Sequence, residues 1–221
     1  MTDSTVVAID GPSGAGKGTV AQALAAALDC RHVDTGAMYR AVAWKVAHEG
    51  RSLDDEAAVS NVAQRAQFTL DGARIVIDGH DVTDLIRTPE MDTAAAKVAR
   101  LSGVRAALVA QQRALARTGR VVMEGRDIGT TVFPDAVVKI YLDAAPEERA
   151  ARRAQDPAHQ FSQVAGIEEV AIALEARDQL DRTRRASPLK RASDALLIDT
   201  TGVPIDEVVA RVVDVVREKL K

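Results

Sequence analysis

The sequence predicts an α/β fold in which a parallel sheet is flanked by helices, with a small antiparallel β region inserted and a short lid. Three observations carry that expectation. Short β-branched runs recur at Thr5 to Ile9, Val121 to Glu124, Val137 to Leu142 and Ala195 to Asp199, each near a segment with helical periodicity, an alternation typical of a sheet covered on both faces. The first run passes through a glycine-rich turn directly into a helix. From about Arg65 to Val82 the alternation is interrupted by hairpin signals.

Thr5 to Ile9 (TVVAI) is continuously apolar rather than alternating, as expected of a strand buried on both faces. In the helix after it, Lys17 to Leu28, Val20, Ala21, Leu24 and Leu28 fall at helical spacing. A second strand should end at Asp34. The inserted stretch reads FTL, Asp71-Gly72, RIVI, Asp78-Gly79, short strands joined by tight turns. A later helix is expected from Gly166 onward, with Ile167, Val170, Leu174, Arg177, Asp181 and Arg184 advancing by three or four residues along one face. Pro204 opens the last helix, whose apolar stripe is Ile205, Val208, Val209, Val212, Val213 and Val216. Asp206 and Glu207 suit its first turn, Arg217, Lys219 and Lys221 its C-terminal end.

With 221 residues, 47% hydrophobic and 28% charged, the chain has the inventory of an ordinary globular protein, which excludes disordered, collagen-like and fibrous classes. The length accommodates one large core and is tight for two full domains. Its 29 basic and 32 acidic side chains leave a net charge of −3, and only three Phe, two Tyr and one Trp are available to stack bases. Neither nucleic acid nor a membrane surface is therefore an expected partner. One cysteine, Cys30, excludes an intrachain disulfide and a thiolate metal cluster. No stretch approaches the ~18 apolar residues of a membrane span, and the acidic start lacks a signal-like basic region, so a cytoplasmic protein is expected. The cations themselves are skewed, 22 Arg to 7 Lys. A source bias would explain that skew, as would a need to grip phosphates with planar forks; the positions decide.

Gly11-Pro12-Ser13-Gly14-Ala15-Gly16-Lys17-Gly18-Thr19 sits between the first strand and the first helix, the context required of a phosphate-binding loop. Its glycines let backbone N–H groups turn inward, the helix N-terminus adds a positive dipole, and Lys17 can reach the β- and γ-phosphates. Gly18 stands where the general pattern has the Ser or Thr that holds Mg²⁺, with the hydroxyl one step later at Thr19; the ion would be held mostly through water and substrate phosphates. A GTPase would also need an Asn-Lys-x-Asp guanine reader. The chain's single asparagine, Asn61, precedes Val-Ala-Gln, so that reader is absent.

A kinase with a phosphorylated acceptor needs cations beyond Lys17. Asp34-Thr35-Gly36-Ala37-Met38-Tyr39-Arg40 and Glu124-Gly125-Arg126-Asp127 both follow strands, at the sheet edge where α/β proteins bind ligands. Arg177 and Asp181 could equally form a solvated i,i+4 pair.

The blocks GPSGAGKGT, DTGAMYR, EGRDIGTTVFPDAVVKIYLDA, and RDQLDRTRRASPL with SDALLIDT, in this order, resemble bacterial cytidylate kinases of the nucleoside monophosphate kinase family over essentially the whole chain. The resemblance implies a P-loop kinase fold over residues 1–221, an acceptor-nucleotide-binding insertion at about 36–100 and a lid at about 149–166. It implies ATP and Mg²⁺ as cofactors, CMP and dCMP as acceptors, and a monomer acting in pyrimidine nucleotide metabolism. By matching positions, the loop from Gly11 to Thr19 would hold the donor with help from Arg149. Thr35, Tyr39, Arg40, Arg126, Arg177 and Arg184 would surround the acceptor and its phosphate. Asp127 and Arg105 would contact cytosine, Asp181 would bind the ribose hydroxyls, and Lys17, Arg126, Arg153, Arg177 and Arg184 would stabilise the transferring group. One departure is Ala96, nine residues before Arg105, where the family usually has a hydroxyl; Thr93, Lys97 or a water are the candidate substitutes. Glu124 would order magnesium waters or be a plain carboxylate at the core edge. Two rivals stay open: a kinase of the same fold acting on UMP, AMP or a metabolite hydroxyl, and a P-loop switch whose output is conformational.

Overall fold

The computed structural model describes residues 5–117, 119–156 and 166–220. Strand β1 (Thr5–Asp10) leads through the glycine turn into α1 (Lys17–Ala27), followed by β2 (Arg31–Asp34) and α2 (Thr35–His48). Next come α3 (Glu56–Arg65), strands β3 (Phe68–Asp71), β4 (Arg74–Ile77) and β5 (His80–Asp81), then α4 (Pro89–Val98) and α5 (Ser102–Leu115). Strand β6 (Arg120–Gly125) passes into a π-helical turn (Ile128–Val132), and β7 (Val138–Asp143), α6 (Pro146–Gln155), α7 (Ile167–Thr183), β8 (Leu196–Asp199) and α8 (Ile205–Lys219) complete the chain.

The main sheet is parallel throughout, in the order β2-β6-β1-β7-β8. Its middle strand explains the unbroken apolar run: Val7 and Ile9 enter one core with α1 and α8, while Val6 and Ala8 enter another with α2 to α5. Both faces must exclude water, so no polar alternation is tolerated. The parallel strands also end on one common edge. There the glycine turn after β1, Asp34 at the end of β2, and Gly125-Arg126-Asp127 at the end of β6 come together, as expected for ligand sites in open α/β sheets.

The inserted β region forms a separate antiparallel sheet, β3-β4-β5. Asp78 and Gly79 both have positive φ, 48° and 80°, the primed turn that an Asp-Gly pair favours between Ile77 and its partner His80. Ile75 and Ile77 of β4 are buried in the same core as α2 and α3, so the hairpin is attached through one apolar face. Helices α3, α4 and α5 were not singled out in the sequence.

Two expectations need correction. Helix α7 ends at Thr183, and Arg184 has an extended backbone (φ −61°, ψ 137°), so it leaves the face on which Arg177 and Asp181 lie. Of the expected lid, Arg149 to Gln155 belong to α6, whereas 157–165 lie outside the described residues. Among the described residues no helix is long and apolar enough to cross a membrane.

Candidate active site

The loop after β1 can only be built around glycine at its tightest point. Gly11 has φ +150°, and a Cβ there would lie 2.0 Å from the Leu142 carbonyl oxygen of β7. At the other end Gly16, with φ 85°, precedes α1 without a side-chain cap, leaving the helix N-terminus open toward the cleft. The loop is anchored from below by a buried ion pair. Ser13 N–H donates to Asp178 Oδ1 (2.9 Å), Arg149 Nη1 donates to the Ser13 carbonyl (2.9 Å), and Arg149 and Asp178 are themselves paired. Asp178 is completely buried and Arg149 is 3% exposed. Arg149, expected in the lid and at the donor, is thus a fixed support beneath the loop: its guanidinium is consumed by Asp178 and backbone carbonyls and does not line the cleft.

Lys17 lies in the loop with its ammonium donating to the Pro12 carbonyl (2.6 Å). Burial, aided by the nearby charge of Arg126, lowers its pKa from 10.5 to about 7. Asp10, below the loop, accepts from the N–H groups of Ile128 and Gly129 (both 2.8 Å), yet burial outweighs them and lifts its pKa to about 6. These bonds fix the π-helical turn to β1.

A cleft of about 600 Å³ opens above the loop. It is lined on one side by Lys17, Gly18 and Thr19, and on the other by Arg40, Arg126, Arg153 and Arg177, so α2, the end of β6, α6 and α7 each bring a cation to one space. These cations are cross-linked by carboxylates. Asp34 caps α2 by accepting from Ala37 N–H (2.9 Å) and also accepts from Arg40 (3.0 Å). Burial resists its ionisation, but the charges of Arg40 and Arg87 prevail and hold its pKa low. Arg126 donates to Asp181 (3.1 Å) and to the Ser13 hydroxyl (2.6 Å), joining the two sides. Arg177 pairs with Asp92 of α4 at 2.7 Å rather than with Asp181 one turn away, so the solvated-pair reading of that helix face does not hold.

Behind this row, Asp127 pairs with both Arg105 and Arg184 (3.1 Å to the latter), and Arg184 also reaches Asp181 (3.3 Å). Tyr39 lies beside them, its ring 5.7 Å from the Arg105 guanidinium carbon and its pKa pushed up to about 12 by burial. Thr35 donates to the Glu124 carbonyl (2.7 Å) and supports the β6 end rather than the cleft. Ala96 is buried in α4. Neither nearby candidate replaces its missing hydroxyl: Lys97 pairs with Asp54 at the surface (2.5 Å), and Thr93 donates back to Pro89 of its own helix (3.1 Å).

For a magnesium ion, the cleft offers the oxygens of Thr19 and Glu124 beside Gly18, among other side-chain oxygens of its lining. Glu124 lies directly against Gly18: a Cβ there would stand 3.4 Å from Glu124 Oε1, an ordinary contact. His32 bonds the same carboxylate (2.9 Å); burial opposes protonation of His32, but Glu124 prevails and raises its pKa. Among the described residues no three His, Cys, Asp or Glu side chains converge on a metal position, and a sparse oxygen set fits an ion that keeps most of its waters and phosphate ligands.

Sequence reasoning missed Arg87 and Glu148 as cleft residues, gave Asp34 no role beyond opening its block at the ligand edge, and missed Val203 and Ile205 as an apolar edge beside the loop. Arg152 was placed only in the lid; it donates to the Thr200 hydroxyl (2.8 Å) and carbonyl (2.6 Å), next to that edge. The Arg-Thr-Pro-Glu start of α4, with Thr88 as its cap, was the available signal for Arg87.

A glycine loop with an inward lysine, facing cations gathered from four elements at the C-terminal edge of a parallel sheet, defines a P-loop phosphotransferase. The chain belongs to the cytidylate kinase family, whose profile matches residues 7–218. It is 46% identical over 222 residues to the cytidylate kinase of Caldanaerobacter subterraneus subsp. tengcongensis, covering 100% of this chain and 99% of that protein. The Carboxydothermus hydrogenoformans cytidylate kinase is 45% identical, with 96% and 97% covered. A bifunctional pantoate ligase/cytidylate kinase of Synechococcus sp. strain CC9311 is 44% identical; all of this chain corresponds to 46% of that protein. The crystal structure of TT1252 from Thermus thermophilus has the same fold, with a TM-score of 0.51 at 18% identity and 98% of both chains covered.

Proposed function

We propose that the chain transfers the γ-phosphoryl group of ATP to the phosphate of CMP or dCMP, giving ADP and CDP or dCDP, by one in-line displacement without a covalent enzyme intermediate. What supports this reading above all is the pairing, in one cleft, of the Lys17 loop with Arg40, Arg126, Arg153 and Arg177. A hydroxyl acceptor would not call for so many cations. Lys17 holds the β- and γ-phosphates, and a bound triphosphate favours its charged form. Arg153 and Arg126 neutralise the transferring group, while Arg40, Arg177 and Arg184 orient the acceptor phosphate. Val203, Ile205 and Arg152 offer a partly apolar edge for the donor base. Thr19 and Glu124 would hold Mg²⁺ through water, and the ion supplies charge neutralisation on the donor phosphates.

For the base, Asp127 accepts from the cytosine amino group beside Arg105, and Asp181 accepts from ribose. All three of these polar side chains are buried, so a base lacking the amino donor would leave an acceptor unmatched. We further propose a monomeric cytoplasmic enzyme of pyrimidine nucleotide metabolism that needs neither nucleic acid nor membrane. A coupled assay of ADP release with CMP, dCMP, UMP and AMP tests the assignment. Cytidine nucleotides should give the highest kcat/KM; a higher value with AMP or UMP overturns the acceptor, and ADP release independent of any monophosphate overturns the kinase reading.

A further inference from the structure

Asp92 lies in the first turn of α4, where an acidic side chain would be accounted for by the helix dipole alone. Its surroundings go further than that. The carboxylate pairs with Arg153 of α6, with Arg177 of α7 (2.7 Å) and with Arg40 of α2 (3.6 Å). Three arginines from three separate elements converge on one two-oxygen anion, and all three are among the cations that line the cleft opposite Lys17. A guanidinium fork takes a carboxylate and a phosphate with the same geometry. Two of the three also retain unused capacity: the Nε atoms of Arg40 and Arg177 are buried and have no acceptor. Such orphaned donors are costly, and a tetrahedral phosphate offers more oxygens than the carboxylate does.

We infer that Asp92 is a built-in stand-in for the acceptor's phosphate, occupying the Arg40, Arg153 and Arg177 cluster while the cleft is empty and displaced when the phosphate enters. The inference rests on the roles proposed above, Arg40 and Arg177 on the acceptor phosphate and Arg153 on the transferring group beside it, and deepens them, because it identifies what the incoming group must compete with. The competitor is tethered, so a bare anion with no base or sugar to add is held off. A nucleotide brings the additional contacts at Asp127, Arg105 and Asp181 and can displace it. Asp92 thereby acts as a positioning and selectivity residue: it keeps the three guanidinium groups gathered and discriminates against inorganic phosphate.

The test is calorimetric titration of the full chain with inorganic phosphate, without nucleotide and at fixed ionic strength. Asp92→Asn keeps the shape and removes the charge; it should tighten phosphate binding by about tenfold or more, and Asp92→Glu should remain near the parent. The KM for the monophosphate acceptor should fall in Asp92→Asn, and phosphate should become a stronger competitor of that acceptor. Unchanged or weaker phosphate binding by a folded Asp92→Asn overturns the inference, since the carboxylate would then be scaffolding that remains in place. Should circular dichroism show that this variant fails to fold, Asp92→Ser carries the same two outcomes. The function is judged separately: absence of CMP turnover in the parent with tighter phosphate binding in the variant removes the cytidylate reading alone, whereas normal turnover with no tightening removes only the role of Asp92.

Discussion

On the loop side of the cleft, polar contacts run through the backbone: Asp178 takes Ser13 N–H, Arg149 takes the Ser13 carbonyl and Lys17 rests on the Pro12 carbonyl. Across the cleft they run from side chain to side chain, with Asp34, Asp92, Asp127 and Asp181 each holding at least one arginine. Backbone contacts fix a shape that one ligand class fits. Ion pairs between side chains can exchange one partner for another, so the arginine side stores binding capacity that a substrate can claim. A rigid cradle thus faces a rearrangeable clamp, and the two should respond differently to perturbation.

The largest expected effect is on the loop side. Lys17→Ala should lower kcat by about 10³-fold with every acceptor, because it removes charge stabilisation at the transferring group. Acceptor-dependent loss would instead place Lys17 on the clamp side. A matched pair of substitutions then separates the halves directly. Asp178→Ala leaves Arg149 buried without its partner and should cost about 3–5 kcal/mol in denaturant unfolding. Asp127→Ala, which takes a buried carboxylate from Arg105 and Arg184, should also cost stability but in addition reduce the preference for CMP over UMP in kcat/KM, which Asp178→Ala should leave unchanged. Equal stability losses with unchanged base preference would abolish the distinction.

The smallest effect is a proton. With its pKa near 7 in the empty protein, Lys17 is largely neutral at pH 8, and bound phosphates favour its charged form. Binding of a triphosphate at pH 8 should therefore take up about one proton, diminishing toward pH 6, as measured by calorimetry in buffers of different ionisation enthalpy. Lys17→Met should show none of this uptake. The same depressed pKa means that folding of the empty protein releases a proton, so the contribution of Lys17 to stability rises between about pH 7 and 10.5.

The sheet was readable because each buried strand demands a β-branched run, and the Asp78-Gly79 turn was readable because few dipeptides accept two positive φ angles. Arg40, Arg126, Arg177 and Arg184 were located by motif blocks that also contain Asp34, Asp127 and Asp181, whereas Arg87, Asp92 and Arg153 lie outside every block. Which carboxylate meets which arginine was not legible. Periodicity assigns Arg177 to a helix face but says nothing of Asp92, which a different helix brings to it. An arginine reads as exposed, so nothing in the local pattern marked Arg149 as part of the interior. Likewise Arg184 continued the helical spacing, and only the backbone turn after Thr183 removes it from the helix.

The tie between Ser13 and Asp178 joins residues 165 positions apart. During synthesis the loop sequence leaves the ribosome early, while its buried support arrives only once α6 and α7 exist. A nascent chain ending after β7 would contain every residue of the glycine motif and still lack the anchor that holds the motif in its binding shape. Competence to bind a triphosphate is consequently a late event, gained when the C-terminal third folds beneath a loop already made.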